Sequence, residues 1–173
     1  MSRSIASSRR SRAPTSIARR CARTSTNGTR TAWPILAAEP LWLTFADVDA
    51  IHGIQLTLPP HGLAGYKDDG LVRSAVVAPR NLFLYDGEDD ILVLAIHLCF
   101  AIAKNHGFLD GNKRTAAAAM IEFLAINGYD LFVPDDDPEE PLLGRWVEKL
   151  VVGAYGVGQM YDLLEHFVQD ATE

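Results

Sequence analysis

Apolar residues recur at helical spacing along most of the chain after Pro40. The first set is spaced by three residues and consists of Phe45, Val48, Ile51 and Ile54. It predicts a helix that ends near Gln55. Thr44 precedes this helix, and Asp47 follows three residues later, which is a capping-box-like start with aspartate in the place of glutamate.

The same periodicity predicts five further helices, over Leu71–Ala78, Asp89–Lys104, Asn112–Ile126, Leu142–Ala154 and Gly158–Gln169. Pro79 is expected to stop the first of these, and Asn127 with Gly128 to end the third. The second is apolar nearly all round, so it is expected to be the central buried helix. The chain shows no run of alternating strands and no internal repeat, which favours an all-α fold.

Residues 1–38 differ from the rest of the chain, because they are rich in Arg, Ser and Thr and lack an apolar period. Such a composition predicts a disordered tail, and residues 39–173 are then the folded domain. An inert tail or a wrongly assigned translation start is the preferred interpretation. A transit peptide and a basic arm that contacts nucleic acid are the alternatives.

The charge of the chain is unevenly distributed. Residues 1–33 hold eight arginines and no acid, and the whole chain carries −6, so the remainder carries −14. A body this acidic repels a phosphate backbone, which argues against nucleic-acid binding except through residues 1–38. The longest apolar stretch has 13 residues and contains His97, too short to span a bilayer. Cys21 and Cys99 form no metal-binding pattern, and a cytoplasmic protein is expected.

One polar segment, HGFLDGNKR from His106 to Arg114, interrupts two apolar helices. Gly111 allows close backbone approach, and the first N–H groups of a helix that starts at Asn112 form a natural phosphate site. Lys113 and Arg114 in that first turn oppose the helix dipole unless an anion lies between them. The helix start therefore predicts a phosphate cradle that comprises Gly111, Asn112, Lys113 and Arg114.

The two remaining polar groups of the segment suit phosphoryl chemistry. Asp110 offers a hard oxygen to Mg²⁺, and His106 can take a proton from a hydroxyl. By contrast, His97 is expected to be a hydrogen-bonded core residue, and His52, His61 and His166 to be surface groups.

The segment resembles the central motif of the Fic/Doc (Fido) family, H-x-F-x-[D/E]-[A/G]-N-x-[K/R], and the resemblance extends over roughly Leu43 to Phe167. It implies a Fido-type helical bundle. It also implies that Asn81, Leu82, Phe83, Leu84 and Tyr85 form a short β-like flap that docks the target protein. By the same resemblance His106 is the general base, Asp110 holds Mg²⁺, and the cradle binds ATP. Gly107 replaces the family's usual proline and is expected to loosen the loop.

Two departures from the commonest Fic pattern indicate the Doc branch. Lys113 replaces a glycine, and Ala117 stands where a second arginine would fall. The resemblance then implies a toxin that transfers the γ-phosphate of ATP to a Thr or Ser hydroxyl of elongation factor Tu and is neutralised by a Phd-like antitoxin. The alternatives are a Fic-type adenylyltransferase and a catalytically silent peptide-binding module.

Overall fold

The computed structural model describes residues 39–134, 137 and 141–171, so the predicted tail of residues 1–38 lies outside the described residues. The described part is mostly helical, which confirms the all-α prediction. Its helices are α1 (Phe45–Thr57), α2 (Asp69–Asn81), α3 (Ile91–Asn105), α4 (Asn112–Ile126), α5 (Leu142–Val151) and α6 (Val157–Leu164). None of these helices is long and apolar enough to cross a membrane.

Side-chain caps start the first three helices. Thr44 and Asp47 form the predicted capping box on α1, in which the Thr44 N–H donates to the Asp47 carboxylate at 2.7 Å. The hydrogen bonds from Thr44 also lower the pKa of Asp47. Asp68 caps α2, and Asp90 accepts from two N–H groups of α3. Each cap satisfies N–H groups that lack a partner within the helix.

Helix α3 is the centre of the domain, as its apolar sequence predicts. Its buried side chains include Leu94, Ile96 and Leu98, and it packs against α2, α4, α5 and α6. Helix α4 contributes the fully buried Ala116 and Ala119. Because alanine side chains are short, they allow a neighbouring helix to approach closely. Both helices that flank the connection between α3 and α4 thus carry buried side chains in the core.

The segment that was expected to be an extended flap is helical. Helix α2 continues through Pro79 to Asn81, and Leu82–Asp86 form a π-helical turn that ends at Gly87 with φ 73°. The prediction of an extended segment was wrong. A proline removes one N–H donor without preventing the last turn of α2, because the Leu82 N–H still bonds the carbonyl groups of Ala78 and Pro79.

A short antiparallel sheet was also missed by the sequence analysis. Strand β1 (Tyr129–Leu131) pairs with β2 (Val168–Asp170), with Tyr129 opposite Asp170 and Leu131 opposite Val168. The last predicted helix consequently ends at Leu164 instead of Gln169. The strand pair ties the end of the described chain to the segment that follows α4.

Candidate active site

The segment His106–Arg114, called the motif below, joins the central helices α3 and α4. His106 ends α3 in the left-handed region, with φ 50° and ψ 42°, and its side chain is exposed. Gly111 precedes α4 with φ 70°, also in the left-handed region. A residue with a side chain is strained in this region, so glycine suits the sharp change of direction at Gly111. Asp110 lies between the two and is exposed.

A neighbouring segment holds the middle of the motif by backbone pairing. The N–H groups of Lys67 and Asp68 donate to the Gly107 carbonyl at 2.8 and 3.1 Å, and the Leu109 N–H donates to the Gly65 carbonyl at 3.0 Å. These bonds fix the exposed turn of the motif to the loop that leads into α2.

Gly107 is tightly packed, which contradicts the expectation that it loosens the loop. A Cβ atom at this position would lie 2.5 Å from Val72 Cγ2 and 3.0 Å from the Val72 backbone nitrogen. Real Cβ atoms do not approach other atoms so closely, and a backbone nitrogen cannot easily yield. Glycine therefore brings α2 against the motif.

Asn112 holds the motif together from the inside. It is buried, its Oδ1 accepts from the Phe108 N–H at 3.0 Å, and its Nδ2 donates to the Phe108 carbonyl at 2.9 Å. Asn112 was predicted to donate to a phosphate, but in this structure its amide binds protein backbone. Its role here is to close the loop around the fully buried Phe108 ring.

The two cations of the predicted cradle point to different partners. Lys113 Nζ lies 3.0 Å from Glu148 Oε1 on α5, and both side chains are largely exposed. Arg114 Nη1 instead donates to the carbonyl groups of Gln55, Leu58 and Pro60, at 3.2, 3.3 and 2.8 Å. The structure thus places Arg114 as a clamp on the loop after α1, and the predicted convergence of Lys113 and Arg114 is not observed.

The amino terminus of α4 retains the character of an anion site. Gly111 supplies no side-chain cap, unlike the residues that precede α1, α2 and α3. The first N–H groups of α4 therefore carry the positive end of the helix dipole without a capping side chain. The Gly111 N–H itself donates to Asp110 Oδ1 at 2.6 Å. An exposed carboxylate thus lies beside an uncapped helix start.

A buried histidine behind the motif was missed by the sequence analysis. His52 on α1 was expected at the surface, but only 4% of it is exposed. Its ring stacks on Phe108 with centroids 3.8 Å apart, and its Nδ1 lies 3.0 Å from Thr115 Oγ1. Burial lowers the pKa of His52, an effect that Asp49 opposes. His52 follows the buried Val48 by four residues, and this spacing was the available signal.

The predicted docking flap does not present an extended edge. The N–H groups of a helical turn are used within the turn, so they are not available to pair with a peptide strand. Phe83 packs against Trp42 with ring centroids 5.7 Å apart, whereas Leu84 and Tyr85 are exposed by 55% and 81%. This turn therefore offers apolar side chains to a partner and no free strand.

Comparison with known proteins identifies a family and two relatives that this chain resembles. Residues 42–124 match the model of the Fic/DOC family. Toxin Doc of Mycolicibacterium smegmatis is 39% identical over 81 residues, which cover 46% of this chain and 62% of that protein. Protein kinase doc of Escherichia phage P1 is 32% identical over 78 residues, which cover 45% of this chain and 60% of that protein.

These matches confirm the resemblance of the chain to the Fic/Doc family. Both relatives are Doc proteins, so the resemblance to the Doc branch is confirmed as well. The chain spans about three fifths of the length of these curated relatives. The matched part includes the whole motif, all of α3, and α4 as far as Leu124.

Proposed function

We propose that this protein is a Doc-like toxin that transfers a phosphoryl group from Mg-ATP to a Thr or Ser hydroxyl of a target protein. The observation that carries the proposal is the motif itself. It supplies an exposed imidazole and an exposed carboxylate, and it leads into the uncapped amino terminus of α4. Phosphoryl transfer requires mainly positioning and charge neutralisation, and these groups suit both tasks.

The chemistry assigned to the motif is an in-line displacement. His106 takes the proton of the target hydroxyl, whose oxygen forms a bond to the γ-phosphorus of ATP. The bond between that phosphorus and the bridging oxygen breaks, and ADP leaves. The N–H groups at the start of α4 stabilise charge on the phosphate oxygens. Lys113 can turn to the nucleotide, because exchange of an exposed ion pair costs about 1 kcal/mol at most.

Asp110 fits the role of a magnesium ligand. Its carboxylate is exposed, and Mg²⁺ is commonly held by one or two carboxylates together with substrate phosphates. Oδ1 accepts from the Gly111 N–H at 2.6 Å, which fixes the carboxylate next to the start of α4. A bound Mg²⁺ would neutralise phosphate charge. The contribution of the protein is to hold the Asp110 carboxylate at the start of α4.

Transfer of the γ-phosphate is favoured over transfer of AMP by two residues and one relative. By the resemblance, Lys113 stands where Fic enzymes usually have a glycine, and Ala117 stands where they have a second arginine that clamps phosphate. The phage P1 relative is called a protein kinase. The resemblance to the Doc branch implies elongation factor Tu as the target and a Phd-like antitoxin as the inhibitor.

A paired labelling experiment tests the proposal. The full chain, Mg²⁺ and elongation factor Tu are incubated with ATP labelled at the γ-phosphate and, in parallel, at the α-phosphate. We expect label on the target from the γ-phosphate only, and none with His106→Ala. The matched control is His166→Ala, which removes an exposed histidine outside the motif and is expected to keep wild-type transfer.

The other outcomes of this experiment contradict the proposal in different ways. Label from the α-phosphate identifies an adenylyltransferase, and label from neither position, in elongation factor Tu or in a whole lysate, favours a silent binding module. Full transfer by His106→Ala rejects the assigned base.

A further inference from the structure

One buried imidazole contacts Phe108 and Thr115 and lies beside Gly111. The His52 ring stacks on Phe108 with an interplanar angle of 18°, and Nδ1 pairs with Thr115 Oγ1. The edge of the ring faces Gly111, because a Cβ built there would lie 3.5 Å from His52 Cε1 and 3.6 Å from Nδ1. His52 thus links α1 to both ends of the turn that starts α4.

His52 lies beside the start of α4, which no capping side chain secures. Gly111 has φ 70° and provides no cap, and its carbonyl accepts from the Thr115 N–H at 2.9 Å. The imidazole therefore lies beside Gly111 at one end of this first helical hydrogen bond and pairs with the Thr115 side chain at the other. A rotation of the ring would break its hydrogen bond to Thr115, the residue whose N–H closes that first turn.

A requirement for packing alone does not explain a histidine at this position. Among the described residues, His52 Nε2 has no hydrogen-bond partner although it is buried. A buried polar atom without a partner destabilises the fold, whereas phenylalanine would fill similar space without that penalty. The polar ring is accounted for if its hydrogen bond to Thr115 sets the orientation in which it lies beside Gly111.

We infer that His52 is a positioning residue, which acts through Gly111 and Thr115 to hold the start of α4 in the orientation that binds phosphate. This inference rests on the proposed nucleotide site. It assigns no contact between His52 and the nucleotide. The residue fixes the site from behind, where neither phosphate nor target reaches.

Three variants of the full chain test the inference: His52→Phe, Thr115→Val and the double variant. The phenylalanine keeps the stacking ring, and the valine keeps the shape of the threonine. Each single variant removes the same hydrogen bond. His97→Phe is the matched control, since His97 is a half-buried histidine nine residues before His106 on α3, about 13 Å along the helix axis.

The readouts are the affinity for a fluorescent ATP analogue, the kcat and KM of label transfer, and the midpoint of thermal unfolding. We expect His52→Phe and Thr115→Val each to weaken nucleotide binding and transfer by about tenfold, which corresponds to one hydrogen bond. The double variant is expected to be no weaker than either single variant. His97→Phe should change the unfolding midpoint without changing nucleotide affinity.

Wild-type nucleotide affinity and turnover in a folded His52→Phe protein would overturn the inference, as would independent, multiplying losses in the double variant. Failure of the proposed function gives a different result. If the wild-type protein labels its target from the α-phosphate, the kinase is excluded, but the same variants still test His52. If label comes from neither phosphate, the affinities of the wild-type protein and the variants for the ATP analogue are the measurement that tests the role of His52. A wild-type protein that binds no nucleotide overturns both.

Discussion

Replacement of Asn112 by alanine should destabilise the fold, because this side chain satisfies both backbone groups of Phe108. The two hydrogen bonds measure 3.0 and 2.9 Å, and only 8% of Asn112 is exposed. Loss of both leaves a buried N–H and a buried C=O without their partner. Each buried unpaired group costs about 1–3 kcal/mol, so we expect the loss of both to lower the free energy of unfolding by about 2–6 kcal/mol. A domain in the upper part of the typical range of about 5–15 kcal/mol would remain folded.

Urea unfolding of the full chain, followed by circular dichroism, measures this change. Asn105→Ala is the matched control, since Asn105 is less buried and makes one hydrogen bond, of 3.1 Å, to the Leu71 carbonyl. Its loss should cost less than about 1.5 kcal/mol. The reasoning is refuted if Asn112→Ala unfolds like the wild-type protein but no longer binds nucleotide. Asn112 would then be the phosphate ligand that its sequence position first suggested.

Three further predictions concern packing, charge and pH. Gly107→Ala should lower the free energy of unfolding by about 1–3 kcal/mol, because the new methyl group meets backbone, and wild-type stability in a urea titration would contradict this. Glu148→Gln should release Lys113 from its ion pair and lower the KM for ATP by up to about fivefold, and an unchanged or raised KM would exclude Lys113 as a ligand that exchanges partners. Burial lowers the pKa of His52 and His97 below the ordinary 6.5. As the pH falls below 6.5, the unfolded chain therefore binds more protons than the folded chain. The contribution of these two histidines to the free energy of unfolding should be fully present above pH 6.5 and should decrease as the pH falls through 6.5. A variant with phenylalanine at both positions should show a smaller decrease.

The sequence predicts helices best where residues with strong backbone preferences mark their ends. The bounds of α4 coincide with the predicted Asn112–Ile126, since Gly111 precedes the helix and Asn127 with Gly128 follows it. The prediction that Pro79 stops the helix was wrong, because a proline removes only one hydrogen bond and the other hydrogen bonds of the last turn still form. The continuous apolar run Leu82–Tyr85 suggested an extended segment, but in the structure Phe83 packs against Trp42 from a helical turn.

Two other features depended on contacts that no local pattern contains. Strands of three residues are shorter than any reliable period, and β1 pairs with residues about forty positions away, at Val168–Asp170. His52 was missed because a search for apolar periodicity passes over a histidine. Its spacing of four residues from Val48 was a signal of burial, but its contacts become apparent only when the ring of Phe108 and the hydroxyl of Thr115 are known to lie beside it.

The motif shows that the type of a residue does not determine what its side chain binds. Asn112 and Arg114 carry the amide and guanidinium groups that bind phosphate in many proteins, but here both turn inward to backbone carbonyl groups. The same donors serve either purpose, because a carbonyl oxygen and a phosphate oxygen both accept hydrogen bonds. Only the geometry separates the two uses. It leaves His106 and Asp110 exposed and the first turn of α4 uncapped. The charge on a bound phosphate would therefore be met mainly by helix N–H groups and by Lys113, with Arg114 stiffening the loop behind them.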